Sequence, residues 1–233
     1  MASSSTQAPT TVEQVIARMR AIDAELDPRD GVACFNRMYL RVTELVGQNI
    51  TDGFFADPVF LERMDVLFAG LYFKAVDAGT PPVPWQPLFG ARDNRTVWPL
   101  QFALAGMNAH INHDLPLAVI MTCQERGTTP DTEPVHADYL RVNELLAKVE
   151  AEVRAEYEPD FARIATADAE ELKHVLSGFS IARSRDVSWG SACTLWSQRN
   201  LTPLYNTTLS ALAAEVALAG TALVAPVVPP PAG

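Results

Sequence analysis

Apolar residues return every three or four positions through most of the chain, the spacing that lays them along one face of an α-helix. Val12, Val15, Ile16, Met19 and Ile22 make the first such stripe. Thr11 is placed to cap it, with Gln14 at the capping-box position. After the turn Asp27-Pro-Arg-Asp-Gly31, the set Phe35, Met38, Tyr39, Val42, Leu45 and Val46 predicts a second helix over 32–46, stopped by Gly47. Asp57-Pro58 reads as an N-cap followed by proline at the first helical position. From there Phe60, Leu61, Met64, Leu67, Phe68, Leu71, Tyr72 and Ala75 carry a strongly apolar helix to about 78.

The pattern then lapses. Residues 80–99 hold Pro81, Pro82, Pro84, Pro87 and Pro99, with Trp85, Phe89 and Trp98 between them. Proline excludes regular helix and the aromatics exclude a fully solvated loop, so this segment is expected to strap across the bundle as a lid or as packing. A central helix starts near Trp98, and Pro116 predicts a kink in it. Residues 124–134 read as a polar linker. Further helices are predicted over 135–157, 160–177 and 180–195, and from 204 or 206 to 225. No stretch alternates as a strand does between hairpin signals. The pattern gives an all-α, single-domain bundle of about seven helices. A leader at 1–10 and a proline-rich tail at 226–233 flank a helical domain at 11–225.

Composition narrows the partners. The formal net charge is −10 with no basic stripe, which argues against nucleic acid. Cys34, Cys123 and Cys193 are few, odd in number and far apart. That fits a reducing, cytoplasmic setting and no Cys-type zinc site. The N-terminus lacks the basic and apolar regions of a secretory signal. The apolar tract at 209–225 is short for a membrane span and holds Glu215, so it is expected to be a buried last helix.

The chemistry concentrates in Met107-Asn-Ala-His-Ile-Asn-His-Asp-Leu-Pro116. His110, His113 and Asp114 interrupt an apolar run, and such groups are rarely buried without a purpose or a partner. At helical spacing the three project together, with Met107 one turn back and Asn108 and Asn112 beside them. Three readings stand. His110 and Asp114 can ligate a divalent metal, with further ligands drawn from Asp65, His136, Asp138 or His174. Alternatively His110 or His113 is a general acid or base oriented by Asp114. Or the group is a satisfied polar tie between helices. Two other polar sets stand apart. In one, Asp138 and Arg141 read as a solvated pair, with Tyr139 and Asn143 on the inner face. In the other, Arg185 can stack on Trp189 and clamp an anionic group.

The stretch Met107–Leu117 resembles the signature of a mainly actinobacterial family known only as a domain of unknown function, DUF5995. Phe55–Phe60, Leu67–Phe73 and Asp138–Asn143 are similar to it too. The resemblance runs from about Val32 to Leu195. It implies a cytoplasmic helical protein and no particular reaction. The residues together predict a small-molecule enzyme with an apolar pocket inside the bundle. Phe68, Tyr72, Trp85, Trp98 and Met107 would line it, with the His/Asp cluster at its polar end. Asn108, Asn112, Asp138, Asn143, Arg185 and Trp189 would add substrate contacts. No organic cofactor is expected. The substrate would be apolar or mixed, and the reaction a cyclisation, isomerisation or hydrolysis in specialised metabolism. A metal-dependent hydrolase or oxygenase is the second expectation. The third is a non-catalytic binding protein or homodimeric scaffold using the helix at 209–225.

Overall fold

The computed structural model describes residues 8–163 and 180–226, and side chains outside 150–163. Every regular element among them is helical, and they pack as one all-α bundle. Helix α1 spans Val12–Glu25, with the Thr11 side chain accepting from Gln14 N. Helix α2 runs Gly31–Thr51, longer than its pattern predicts. Gly47 does not stop it. A Cβ there would stand 2.9 Å from Val12 Cγ1, so this glycine serves the close approach of α1 to α2. Helix α3, Pro58–Asp77, starts as expected, with Asp57 accepting from Phe60 N at 2.9 Å.

The strap is partly helical. It forms a 3₁₀ turn at Val83–Trp85 and a short helix α4, Gln86–Ala91. Trp85 is fully buried, as are Leu88, Val97 and Trp98. These side chains close the core rather than cover a movable mouth. The proline segment is therefore packing, and its apolar content explains why it folds inward.

The central rod is α5, Pro99–Ala109, then a π turn at His110–Asp114, then α6, Leu115–Arg126. Pro116 was expected to kink the rod. The break is realised one turn upstream, where Leu115 N donates to His110 O, five residues back. A widened turn draws the carbonyls away from the proline ring that would clash with them. Gly127 ends α6 in the left-handed conformation. The rod lies against α2. A Cβ on Gly106 would collide with the Phe35 ring, so the missing side chain brings Phe35 beside the π turn.

Helix α7 spans Val135–Arg163, α8 spans Ile181–Gln198 behind its Ser180 cap, and α9 spans Thr202–Leu223. The predicted helix at 160–177 lies mostly outside the described residues, as do most of the leader and the tail. No described helix is long and apolar enough to cross a membrane. Helix α9 is not the buried helix its composition suggests. Val216, Gly220 and Leu223 face inward, while Leu204 and Leu218 are exposed, Leu218 by 74%. Its buried edge, Val216 and Leu223, joins the core, and amides of the rod add polar ties. Gln101 Nε2 donates to Leu223 O and Ala225 O, both at 2.8 Å. Asn108 Nδ2 donates to Val216 O at 2.8 Å.

Candidate functional site

The π turn decides which way the polar residues point. Asp114 is buried, 3% exposed, and three N–H groups reach its carboxylate. His113 Nδ1 is 2.8 Å from Oδ1, His110 Nδ1 is 3.2 Å from Oδ2, and Trp85 Nε1 donates to Oδ2 at 3.0 Å. Burial raises the Asp114 pKa, but hydrogen bonds from both imidazoles outweigh it, and the carboxyl is held below its ordinary value. It is therefore an anion that only accepts, which makes both Nδ1 atoms donors.

The two histidines differ in what surrounds them. His110 is 2% exposed and lies in an aromatic box. Its ring stacks flat on Phe68, with centroids 3.5 Å apart, and Tyr39 stands edge-on at 4.4 Å. Phe35 and Trp85 complete the enclosure. Burial pushes its pKa down, and the bond to Asp114 offsets only part of that. His110 is thus neutral with its proton on Nδ1, leaving a lone pair on a buried, unpartnered Nε2. His113 is only partly buried, and its Nδ1 bond turns Nε2 away from Asp114.

The structure brings His110, His113, Asp114 and Trp85 together. The rest of the predicted site is elsewhere. Tyr72 is fully buried and donates to Asn36 Oδ1 at 3.2 Å. Trp98 and Met107 are core residues. Tyr72, Trp85, Trp98 and Met107 therefore fill the space in which a pocket was expected. Asn112 Nδ2 donates to Asn108 Oδ1 at 3.0 Å, so both asparagines belong to the chain of amides that ties α9 to the rod.

Asp138 is not half of a solvated pair. It is wholly buried and accepts from Ala56 N at 3.0 Å and Asp57 N at 2.6 Å, fixing the loop before α3. Arg141 stands 3.9 Å from it and donates instead to Phe54 O. Arg185 does not stack on Trp189. Its guanidinium lies 4.1 Å from the centre of the Tyr139 ring, and Nε and Nη2 donate to Asn143 Oδ1 and Tyr139 O, both at 2.7 Å. The Tyr139 hydroxyl returns a bond to Arg185 O at 2.7 Å. That set is a clamp between α7 and α8. Trp189 stacks on His136 with centroids 4.4 Å apart.

The metal reading does not fit the donor set. Asp114 is occupied by N–H groups, and no group of three or more His, Cys, Asp or Glu side chains among the described residues is placed to hold an ion. Asp65 is close enough to Tyr39 for its charge to act there, yet it joins no such group; His136 packs on Trp189, Asp138 holds the loop before α3, and His174 is outside the described residues. The sequence put Asp65 forward as a candidate ligand and Phe68 as pocket lining, but gave no role to Tyr39. Its hydroxyl and Asp65 Oδ2 are buried and unpartnered, like His110 Nε2. The one available signal was an aromatic pair, Phe35 and Tyr39, four apart on the face of α2 that meets the rod.

No curated protein and no solved structure matches the chain. One family does, over residues 12–226, which is nearly the whole sequence. The chain belongs to that family, described as a family of unknown function, DUF5995.

Proposed function

We propose that the protein is a small-molecule enzyme that uses His113 as its general acid or base. The observation that carries the reading is the 2.8 Å contact between His113 Nδ1 and the buried Asp114 carboxylate. An ionised, desolvated carboxylate on Nδ1 fixes the ring's orientation and tautomer, so the lone pair of the neutral ring stands on Nε2. Trp85 and His110 are positioning residues. Between them they hold the second carboxylate oxygen, so Asp114 cannot rotate away from His113. His110 is too enclosed to meet a substrate; His113 is the ring with access to the surface.

Proton transfer at one such centre serves isomerisation, cyclisation or hydrolysis, and the reading extends to these classes only. Its test is incubation of the full chain with a bacterial metabolite extract, followed by mass spectrometry. The expected result is a metabolite consumed by the wild-type protein and spared by His113→Gln. Trp85→Phe should retain turnover at a lower rate with a displaced pH profile, as a positioning role requires. Identical consumption by wild type and His113→Gln would overturn the reading.

A further inference from the structure

One turn beyond His113 in the rod, Leu117 of α6 enters the wall of a surface cleft of about 420 Å³. Leu117, Ile120 and Met121 make an apolar floor. The opposite side comes from the corner between α8 and α9, through Arg199, Thr202 and Tyr205. Three features of this corner favour negative charge. Arg199 is exposed, and among the described residues no carboxylate lies within ion-pair reach of it. Glu125, next in the chain to the lining residue Gln124, is engaged by Arg63. The N-terminus of α9 has no side-chain cap and Pro203 carries no N–H, so the N–H groups of Thr202 and Leu204 and the positive end of the dipole are left at the corner where Thr202 lines the cleft.

The guanidinium is also held in place. It lies 4.3 Å from the centre of the Trp196 ring, and Nη1 donates to Trp196 O at 2.8 Å. That leaves Nε and Nη2 as a planar edge, the shape that takes a carboxylate through two parallel bonds. In a chain of net charge −10, an acid-free spot that joins a fixed cation to a bare helix start is a local reversal of sign.

We infer that this cleft binds an amphiphilic monocarboxylate, its head group on Arg199 and the start of α9 and its aliphatic body on Leu117, Ile120 and Met121. The apolar floor from Leu117 to Met121 extends ~6 Å along α6 at the helical rise, and the cleft wall continues to Gln124, ~10 Å in all, which bounds the length of the body. The inference rests on the proposed function only in making this compound class the substrate of His113; the binding itself stands apart from any reaction.

Sodium octanoate is the probe, and 1-octanol is its uncharged counterpart. Each is titrated into the full chain by calorimetry, with Trp196 fluorescence as a local report and Trp196→Phe as its control. Octanoate should saturate and bind at least tenfold more tightly than octanol. Arg199→Ala should weaken octanoate about tenfold, equivalent to ~1.4 kcal/mol, and leave octanol unchanged. Arg199→Lys should fall between, because it keeps charge and loses the fork. Met121→Asp should weaken both probes. Equal binding of the two probes, no saturation by octanoate, or an unaltered Arg199→Ala overturns the inference. His113→Gln should bind octanoate as the wild type does. Normal binding with no His113-dependent turnover would therefore defeat the proposed function and leave the cleft assignment standing, while turnover without octanoate binding would do the reverse.

Discussion

The imidazole of His110 lies flat on the ring of Phe68, centroids 3.5 Å apart and planes within 3°. A charged ring in that enclosure would lose its hydration, which is why burial holds its pKa below the ordinary value. In the unfolded chain it titrates near 6.5. As pH falls below that, the unfolded chain takes up a proton that the folded one refuses, so His110 contributes a loss of stability on the acid side. Nitrogen-15 NMR at pH 6 should find His110 neutral with its proton on Nδ1. An imidazolium signal for this residue at pH 6 would contradict the geometry.

Trp85 ties the strap to the site through its bond to Asp114 Oδ2 at 3.0 Å. Trp85→Phe keeps much of the apolar volume and removes the donor. It should cost about 2–4 kcal/mol in urea unfolding, part for the lost charge-assisted bond and part for the smaller ring. Asp114→Leu should cost more, about 3–5 kcal/mol, because two imidazole N–H groups and the indole N–H are then buried without an acceptor. If Asp114→Leu were the milder change, the carboxylate would not be what holds these elements together.

Much of this was legible in the order of residues. The caps Thr11 and Asp57, the stripes on α1 to α3 and the break near Pro116 follow from local rules that tertiary context did not override. The pairing of His113 with Asp114 was also within reach, since neighbours in a widened turn come together without help from distant elements. What failed depended on distant packing. Nothing around Asn108 announces that its amide will meet Val216 O on a helix more than a hundred residues away. Asp138 reads as a surface acid because its partners are backbone N–H groups at 56 and 57, which carry no sequence signal. Helix α9 reads as buried because hydrophobicity was taken as a guide to position, and Leu218 shows that an apolar helix can keep one face in solvent.

Arg185 is buried, and burial lowers its pKa, yet its hydrogen-bond and ring partners are neutral: Asn143, the Tyr139 carbonyl and the Tyr139 ring. The fork of the guanidinium reaches two acceptors at once. Arg185→Lys keeps the charge but cannot span both, so about 2–3 kcal/mol of unfolding free energy should be lost in urea titration. Asn143→Ala should cost less, since Arg185 keeps its bond to Tyr139 O. Equal losses for Arg185→Lys and a silent surface Arg→Lys would remove the clamp from the account of how α8 is held against α7.

Asp65 supplies the sharpest pH dependence. Its Oδ2 is buried without a partner, and burial, aided by the charge of Glu62, raises its pKa to about 7 from 3.8. The folded chain therefore holds a proton that the unfolded chain releases above pH ~4. Stability from this group is full below pH ~4, declines as pH rises towards 7 and is flat beyond it. The total decline approaches ~4 kcal/mol at ~1.4 kcal/mol per unit. His110 and Asp114 tilt the curve the other way, both losing stability as pH falls, so the raw profile mixes opposed slopes. The difference between wild type and Asp65→Asn isolates the one group. The variant should match the wild type near pH 4 and exceed it by about 2–4 kcal/mol at pH 8, because a neutral amide replaces a carboxylate that must ionise in a dry site. A variant less stable than wild type at pH 8 would mean that the Asp65 anion is stabilised in the fold and that the unpartnered oxygen has been misjudged.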